Sequence, residues 1–354
     1  MSVPISIEKV KKSRLAEVDL SNVPFGRVFS DHMLVADYED GAWKSAKIQA
    51  YDRLSLSPAS MVLHYGQEIF EGMKAYKDKD GKVVLFRPEK NWERFNHSAE
   101  RMCMPSVPEN IFLEGLHKLL ELDKDWIPSD ADASLYIRPF MIATDEYVGV
   151  KPSEKYKFII FTCPVRAYYT EPVRVKIEQK YVRAADGGTG KAKAGGNYAG
   201  SLYPAKLAQK EGFHQLLWTD AKEHKYIEES GTMNVFIVID GKVYTHPLTG
   251  TILEGVTRDS TIQLLKDGGF EVIEEAVTVE QLVEAATSGR LEDMFGTGTA
   301  ATVAHIKSFG IDGKVFDLPQ VPERKVSNYV LKKLERIKRR EEQDDYGWVV
   351  EVEV

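Results

Sequence analysis

The sequence predicts a mixed α/β fold in two domains, and three observations carry that expectation. Apolar runs with the two-residue period of strands alternate with stretches of helical period along the whole chain. Its 354 residues exceed what one hydrophobic core usually organises. Near the middle, "RAYYTEPVRVK" loses its periodicity around Pro172, which reads as a junction. The expected division is an N-terminal domain over 1–167, an interdomain loop over 168–176 and a C-terminal domain over 177–354.

In the first half, "HMLVADYEDGAWKSAKIQAY" reads as a hairpin, two extended runs about the turn Glu39-Asp40-Gly41. "GKVVLFRP" is a short strand behind the polar loop "KDKDG". In "PEKNWERFNHSAERMCMP", Trp92, Phe95, Ala99 and Met102 recur at helical spacing until a proline stops the run. On that pattern alone, Arg94 is a helix-surface arginine. "EGLHKLLELDKDWIP" repeats the helical period. "ASLYIRPFMIAT" and "KYKFIIFTCPV" read as strands, the second apolar enough to be buried on both faces.

In the second half, "FHQLLWTD", "VFIVIDGKVYTH" and "EVIEEAV" are strands separated by turns such as Asp240-Gly241. "TRDSTIQLLKDGG" is a helix closed by glycine, and "TVEQLVEAATSG" is another. The tail "ERKVSNYVLKKLERIKRREEQ" places Val326, Val330, Leu334 and Ile337 along one helix face and leaves its dense charges to solvent. There is no repeat and no low-complexity segment.

With 43% hydrophobic and 29% charged residues, the composition is that of a globular protein rather than a disordered one. A net charge of −7 speaks against a nucleic-acid surface. No apolar run reaches the ~18 residues of a membrane span, and the first twenty residues lack a secretory apolar core; a cytoplasmic protein is expected. Two cysteines, Cys103 and Cys163, are expected as free thiols in a reducing compartment. The eight histidines, His64 and His97 among them, do not fall at metal-ligand spacing, so no metal is expected.

The segment with the most chemistry is "GGTGKAKAGGNYAG", residues 187–200, with six glycines, Lys191 and Lys193. A phosphate-loop reading fails. Ala184 and Ala185 stand where its first glycine belongs, and Ala192 replaces the magnesium-binding Ser or Thr. A flexible loop with two solvated lysines is the plain alternative. The third is a Schiff-base lysine: a neutral amine in a desolvated setting, with small neighbours that let a flat aldehyde lie against the backbone. Tyr198 then offers a hydrogen bond to a phenolic oxygen. Such a site also needs a carboxylate at the ring nitrogen, which Glu228 or Glu229 in "YIEESGTMNVFIV" supplies. It needs an anion cradle too, and "LEGVTRDSTIQLL" provides one where Gly255 bends the chain and Val256 and Thr257 open a helix. "FGTGTAATVAHI" adds a second glycine-threonine turn.

In this order the parts resemble the branched-chain amino acid aminotransferases, pyridoxal-phosphate enzymes of fold type IV. The resemblance runs from about Phe25 to the C-terminal "YGWVVEV". It is carried by "FGRVFSDHML", "LHYGQEIFEGMKAY", "LFRPEKNWERFNHSAERMCMP", "LYIRPFMIATD", "KAGGNYAGSL", "EESGTMNVF", "LEGVTRDS" and "FGTGTAATV". It implies a smaller N-terminal α/β domain and a larger C-terminal pseudo-barrel domain that binds the cofactor. It also implies that Lys193, five residues before Tyr198, is the Schiff-base residue. Tyr198 then faces the cofactor's O3′ and Glu229 its pyridine nitrogen, while Arg94, Val256, Thr257 and Thr299 meet the phosphate. Phe25, Tyr65, Phe70, Tyr168, Thr232 and Ala300 match the lining of an apolar substrate pocket. Tyr136, Arg138 and Val150 match residues that reach a neighbouring subunit's site, which implies a homodimer.

The activity implied is reversible amino transfer between leucine, isoleucine or valine and 2-oxoglutarate, giving branched 2-oxo acids and glutamate. Lys193 would carry the proton between Cα and C4′, and Arg138 would accept the side-chain carboxylate of glutamate. Mammalian members have a CxxC pair after the glycine-threonine turn; Ala301 and Ala304 stand there, as in a microbial member without thiol regulation. D-amino-acid aminotransferase and aminodeoxychorismate lyase share the lysine and glutamate, but not the "LYIRP" and "EGMKAY" blocks together. A cofactor-free binding protein on the same scaffold is the alternative of another class.

Overall fold

The computed structural model describes residues 3–353 apart from Ala131, Ala167 and Thr170. In the first half the strands are β1 (Ile5–Ile7), β2 (His32–Glu39), β3 (Ala42–Ala50), β4 (Glu68–Phe70), β5 (Met73–Lys77), β6 (Val83–Phe86), β7 (Ser134–Ala143) and β8 (Tyr156–Val165). Helices α1 (Val62–Tyr65), α2 (Pro88–Arg101) and α3 (Gly115–Leu122) lie among them in sequence. The second half holds β9 (Val173–Ile177), β10 (Gln215–Thr219), β11 (Ile227–Ser230), β12 (Met233–Ile239), β13 (Lys242–Thr245), β14 (Glu271–Ile273), β15 (Leu291–Gly298), β16 (Thr302–Ile311), β17 (Lys314–Asp317) and β18 (Val349–Glu351). Its helices are α4 (Gly195–Lys210), α5 (Val256–Asp267), α6 (Val279–Thr287) and α7 (Val326–Lys338). The fold is mixed α/β. No helix among the described residues is long and apolar enough to cross a membrane.

The chain divides into two compact units. The first comprises Met1–Tyr168, Ala192–Gly195 and Arg336–Val354. Its sheet runs β1-β3-β2-β8-β7-β5-β6-β18, with β4 beside β7. The β2–β3 hairpin turns on Asp40 and Gly41, both at positive φ (48° and 76°), the backbone that a two-residue hairpin loop demands. Side chains alternate across a strand, so each strand gives one row to each face. One row is the core: Leu34, Ile48, Leu135, Ile137, Phe158 and Ile160 are fully buried with Phe95 of α2 and Leu116 and Leu119 of α3. Each such large side chain contributes ~1.5–3 kcal/mol by leaving water. The registers Tyr136↔Cys163, Arg138↔Phe161 and Phe70↔Phe140 define the opposite row, and that row carries the candidate site.

Residues 336–354 group with this unit rather than with the C-terminal half where the sequence reading put them. The reason is pairing: β18 lies antiparallel to β6, and Arg87 N donates to Trp348 O at 2.7 Å. The expected apolar face of α7 is buried at Val326, Val330, Leu334 and Ile337. Its last charges are not all solvated, however. Lys338 and Arg339 are buried, Lys338 over the rings of Tyr76 and Phe86 and Arg339 over Tyr76, and Arg339 Nη2 donates to Ala133 O at 2.9 Å. Long aliphatic stems and cation–π contacts let basic side chains cover apolar surface.

The second unit comprises Tyr169–Lys191 and Gly196–Glu335. Its strands β11-β10-β9-β16-β15-β12 close into a ring, because β11 pairs with β12 as well as with β10. β13 and β14 extend from β12, and β17 pairs with β16. The core gathers Val175, Leu217, Val235, Ile237, Met294, Ile306 and Phe309 with Leu282 and Ala285 of α6. Helix α6 starts on a capping box, Thr278 and Gln281 each bonding the other's backbone N–H. The segment read as an interdomain loop contains β9, set between β10 and β16. Val173, Val175 and Ile177 alternate with Arg174 and Lys176, a five-residue strand pattern that the neighbouring Pro172 obscured.

Candidate active site

The two lysines of the glycine-rich segment differ in setting. Lys191 is exposed, whereas Lys193 is half-buried between the bend at Ala192 and the start of α4 at Gly195. Ala192 and Ala194 pack in the first unit's core. Ala194 bridges Ile69 of β4, Phe70 N donates to Lys193 O at 3.0 Å, and Lys193 N donates to Ser98 Oγ of α2 at 3.0 Å. The backbone on both sides of Lys193 is thereby pinned, and Nζ stands 4.8 Å from the centroid of Phe70. The same ring carries the Arg138 guanidinium at 4.7 Å, which also lies 5.3 Å from Tyr136 and donates from Nη2 to its hydroxyl at 3.0 Å. Phe25 continues the series, edge-on to Tyr136 and Tyr168 with centroids 5.3 and 5.0 Å away. An amine, an arginine and four aromatic rings thus run continuously along one sheet face.

Arg94 is buried at 8% exposure, against the helix-surface position its sequence pattern suggests. Its Nε and Nη2 donate to Oε1 and Oε2 of Glu71 at 2.7 and 2.9 Å. Asn91 Nδ2 and the Gly72 amide also donate to Glu71 Oε2, at 2.9 and 3.1 Å. Burial alone would raise the Glu71 carboxyl, but the charge and hydrogen bonds of Arg94, the charge of Lys193 and the Asn91 bond outweigh it and hold it below the usual carboxylate value. The fork fixes the plane of the guanidinium.

In the second unit, Glu229 of β11 sits across the register from Asn234 of β12. Asn234 Nδ2 donates to Glu229 Oε1 and to Leu253 O, both at 2.9 Å. Arg183 Nε lies 2.6 Å from Glu229 Oε2, and its Nη1 donates to Thr251 O at 2.7 Å. Thr297 of β15 pairs with Asn234 on the other side, so Glu229, Asn234 and Thr297 form one polar row. The Thr297 hydroxyl is buried with no hydrogen-bond partner among the described residues. Helix α5 begins at Val256 behind Gly255, and a Cβ on Gly255 would collide with Asn234 Oδ1. Its first amides therefore follow a residue with no side chain to cap them, as an anion cradle requires. The loop before α4 is stapled: Thr189 Oγ1 donates to Asn197 Oδ1 and Asn197 Nδ2 to Thr189 O, at 2.6 and 2.8 Å.

Of the residues singled out in the sequence, Lys193, Phe70, Arg138, Tyr136, Phe25 and Tyr168 form the first unit's row. Arg138, expected with Tyr136 at a neighbouring subunit's site, stands over the Phe70 ring that Lys193 also meets, and Tyr136 stands against Arg138. Tyr65 is exposed at the end of α1, and Val150 is 89% exposed. In the second unit, Glu229, Val256 and Thr257 lie as described. Tyr198 is half-buried in the first turn of α4, Thr232 is exposed in the two-residue turn between β11 and β12, and Thr299 and Ala300 occupy the turn between β15 and β16. Sequence reasoning missed Glu71, Asn91, Arg183 and Asn234. For Asn234 a signal existed: "EESGTMN" is a tight hairpin that places it opposite Glu229.

By the chemistry of their groups, these residues fit a flat aldehyde with a ring nitrogen and a phosphate, each unit taken by itself. The first unit offers an amine with a pinned backbone beside an aromatic row. The second offers an acid that is ion-paired with a guanidinium and accepts from an amide, an uncapped helix start and a buried hydroxyl without a partner among the described residues.

The amino-transferase class IV family model matches residues 68–309. Branched-chain-amino-acid aminotransferase 2 of Bacillus subtilis is 43% identical over 355 aligned residues, spanning 99% of this chain and 97% of that protein. Among solved structures, the branched-chain amino acid aminotransferase of Escherichia coli superposes with a TM-score of 0.76 at 27% identity, covering 91% of this chain and 99% of that one. The branched-chain amino acid aminotransferase of T.th., complexed with N-(5'-phosphopyridoxyl)-L-glutamate, gives 0.72 at 26% identity over 90% of this chain and 98% of that one.

Proposed function

This chain belongs to the class IV aminotransferases and, within them, to the branched-chain amino acid aminotransferases, and from that premise we propose how its residues carry the reaction. It is a pyridoxal-phosphate-dependent transaminase of branched-chain amino acids. We propose that leucine, isoleucine or valine gives its amino group to 2-oxoglutarate, and that the reverse transfer uses the same groups. When bound, pyridoxal phosphate supplies an aldehyde to receive the amino group and a protonated ring to draw in the electron pair left at Cα.

Lys193 is the amine that would hold the cofactor and the base that would move the proton at the substrate's Cα. Glu229, oriented by Arg183 and Asn234, keeps the ring nitrogen protonated. Tyr198 bonds the phenolic oxygen. Arg94, the Val256 and Thr257 amides and Thr299 bind the phosphate. Phe25, Phe70, Tyr136, Tyr168, Tyr65, Thr232 and Ala300 exclude water around the branched side chain, and Arg138 receives the side-chain carboxylate of glutamate. The exposed apolar run Tyr147, Val148 and Val150 supports a homodimer, since such a patch is normally covered by a partner. We place the enzyme in the cytoplasm, where free thiols such as Cys103 and Cys163 persist.

The observation that carries this reading is the pinned Lys193 at the head of the aromatic row. The test is a half-reaction without oxo acid. L-Leucine should convert the cofactor's aldehyde absorbance to that of the amine form and release one equivalent of branched 2-oxo acid, and 2-oxoglutarate should restore the first spectrum. Reaction with D-leucine alone, or no spectral change, would overturn it.

A further inference from the structure

Glu68 is a charged residue on the site face to which no role has been given. It opens β4, two residues before Phe70 and on the side of the strand opposite the fully buried Ile69. The registers Glu68↔Ile142 and Phe70↔Phe140 set it on the same face as Arg138 and Tyr136 of β7. Its Oε1 occupies the space where a Cβ on Gly195 would be built, so the carboxylate stands over the segment that holds Lys193. Glu68 is half-buried, and its carboxylate makes no hydrogen bond among the described residues. Burial raises its carboxyl above the usual value, and the charge of Arg138 partly opposes that rise. Arg138, for its part, bonds Tyr136 through Nη2 and has a buried Nε with no partner among the described residues. The two charges therefore sense each other without closing into a bonded pair.

We infer that Glu68 is a specificity-determining residue that opposes the entry of a second carboxylate at Arg138. With a branched substrate, the uncharged side chain leaves the Glu68 and Arg138 charges facing each other. With glutamate or 2-oxoglutarate, the incoming carboxylate competes with Glu68 for the same guanidinium. The pair thus lets one pocket take both kinds of side chain while favouring the uncharged one. This rests on the reading that Arg138 receives the acidic side chain, and the test separates the two.

The experiment measures kcat and KM for L-leucine and L-glutamate in the holoenzyme, in Glu68→Gln, in Arg138→Gln and in the double variant, with Tm recorded for each. Glu68→Gln should lower KM for glutamate about tenfold, the order expected from removing a like charge on the same face of a half-buried site. For leucine, KM should change less than about twofold, since its side chain carries no charge to repel. In the Arg138→Gln background, the Glu68→Gln gain should shrink to about twofold, because the competition for the guanidinium is gone and only direct repulsion between the carboxylates remains. If Arg138→Gln alters the glutamate-to-leucine ratio but Glu68→Gln does not, the role of Glu68 is overturned. If Arg138→Gln leaves that ratio unchanged, the reading of Arg138 fails instead. Glu68→Ala serves as a second variant: the same gain for glutamate supports the charge argument, and a loss for both substrates at unchanged Tm contradicts it.

Discussion

Two of the buried ion pairs among the described residues share their chemistry and differ in employment. Arg94 with Glu71 in the first unit and Arg183 with Glu229 in the second are both a guanidinium against a carboxylate, with side chains exposed by at most 10%. In the first pair the arginine is the proposed ligand-binding group and the glutamate its holder; in the second the roles are reversed. The pairing itself does not say which is which. The remaining bonds do. Besides Arg94, Glu71 gives its oxygens to Asn91 and the Gly72 amide, both scaffold. Arg183 likewise spends Nη1 on the Thr251 carbonyl, while Glu229 is oriented by two side chains from different strands and loops. A holder is tied to backbone, and a working group is aimed by holders.

Breaking the two pairs at the same atom type should therefore give different phenotypes. The largest effect is expected from Glu71→Ala, which strands a buried guanidinium and should cost ~3–5 kcal/mol of stability, read as a lower denaturant midpoint at unchanged slope. Glu71 also makes a pH signature. Because its folded carboxyl is held low, its contribution is present above the unfolded value near 4.5 and lost as pH falls through the folded value, so wild type and Glu71→Gln should converge in acid.

Next comes Glu229→Gln, which keeps the shape and removes the charge. It should lower kcat by ~10²–10³-fold, the size of one lost electrostatic stabiliser, with the cofactor still bound. A pure loss of cofactor affinity would erase the contrast between the pairs. Arg94→Met should do the reverse, weakening cofactor binding by ~1.5–3 kcal/mol, the worth of a hydrogen bond to a charged group, with kcat at saturating cofactor much less affected.

The smallest effect sharpens the second pair. Glu228 neighbours Glu229 but is tied to Thr251 Oγ1 at 2.7 Å, and burial raises its carboxyl, only partly offset by the Thr251 bond and the charges of His246 and Arg183. A raised carboxyl favours the fold fully below the unfolded value near 4.5, and that advantage is lost as pH rises through the folded one. Glu228→Gln should therefore match wild type in acid and exceed it at neutral pH by at most about 1 kcal/mol, the order of one net hydrogen bond. Thermal melts across pH check this.

Much of the fold was legible because periodicity reports which face of an element is buried. The β2–β3 hairpin, α2, α5 and the apolar face of α7 all follow from spacing and turn residues. What spacing does not report is the partner. Lys191 and Lys193 have the same parity and the same small neighbours, and they differ because Ala194 bridges Ile69, far away in sequence. Arg94 looked solvent-facing because Glu71 is 23 residues distant, and Arg183 drew no attention because nothing local links it to Glu229. Lys338 and Arg339 misled for a related reason: charge predicts solvent until aromatic rings from another strand are present to receive the stems. Family resemblance supplied the roles, and the tertiary pairings supplied the reasons for them.

The assignment of Lys193 is the claim on which the rest depends. Borohydride reduction of the holoenzyme fixes the cofactor to the amine that holds it, and peptide mapping then locates the label. The expected result is a single phosphopyridoxyl adduct on Lys193. An adduct on Lys191, or none at all, would contradict the account.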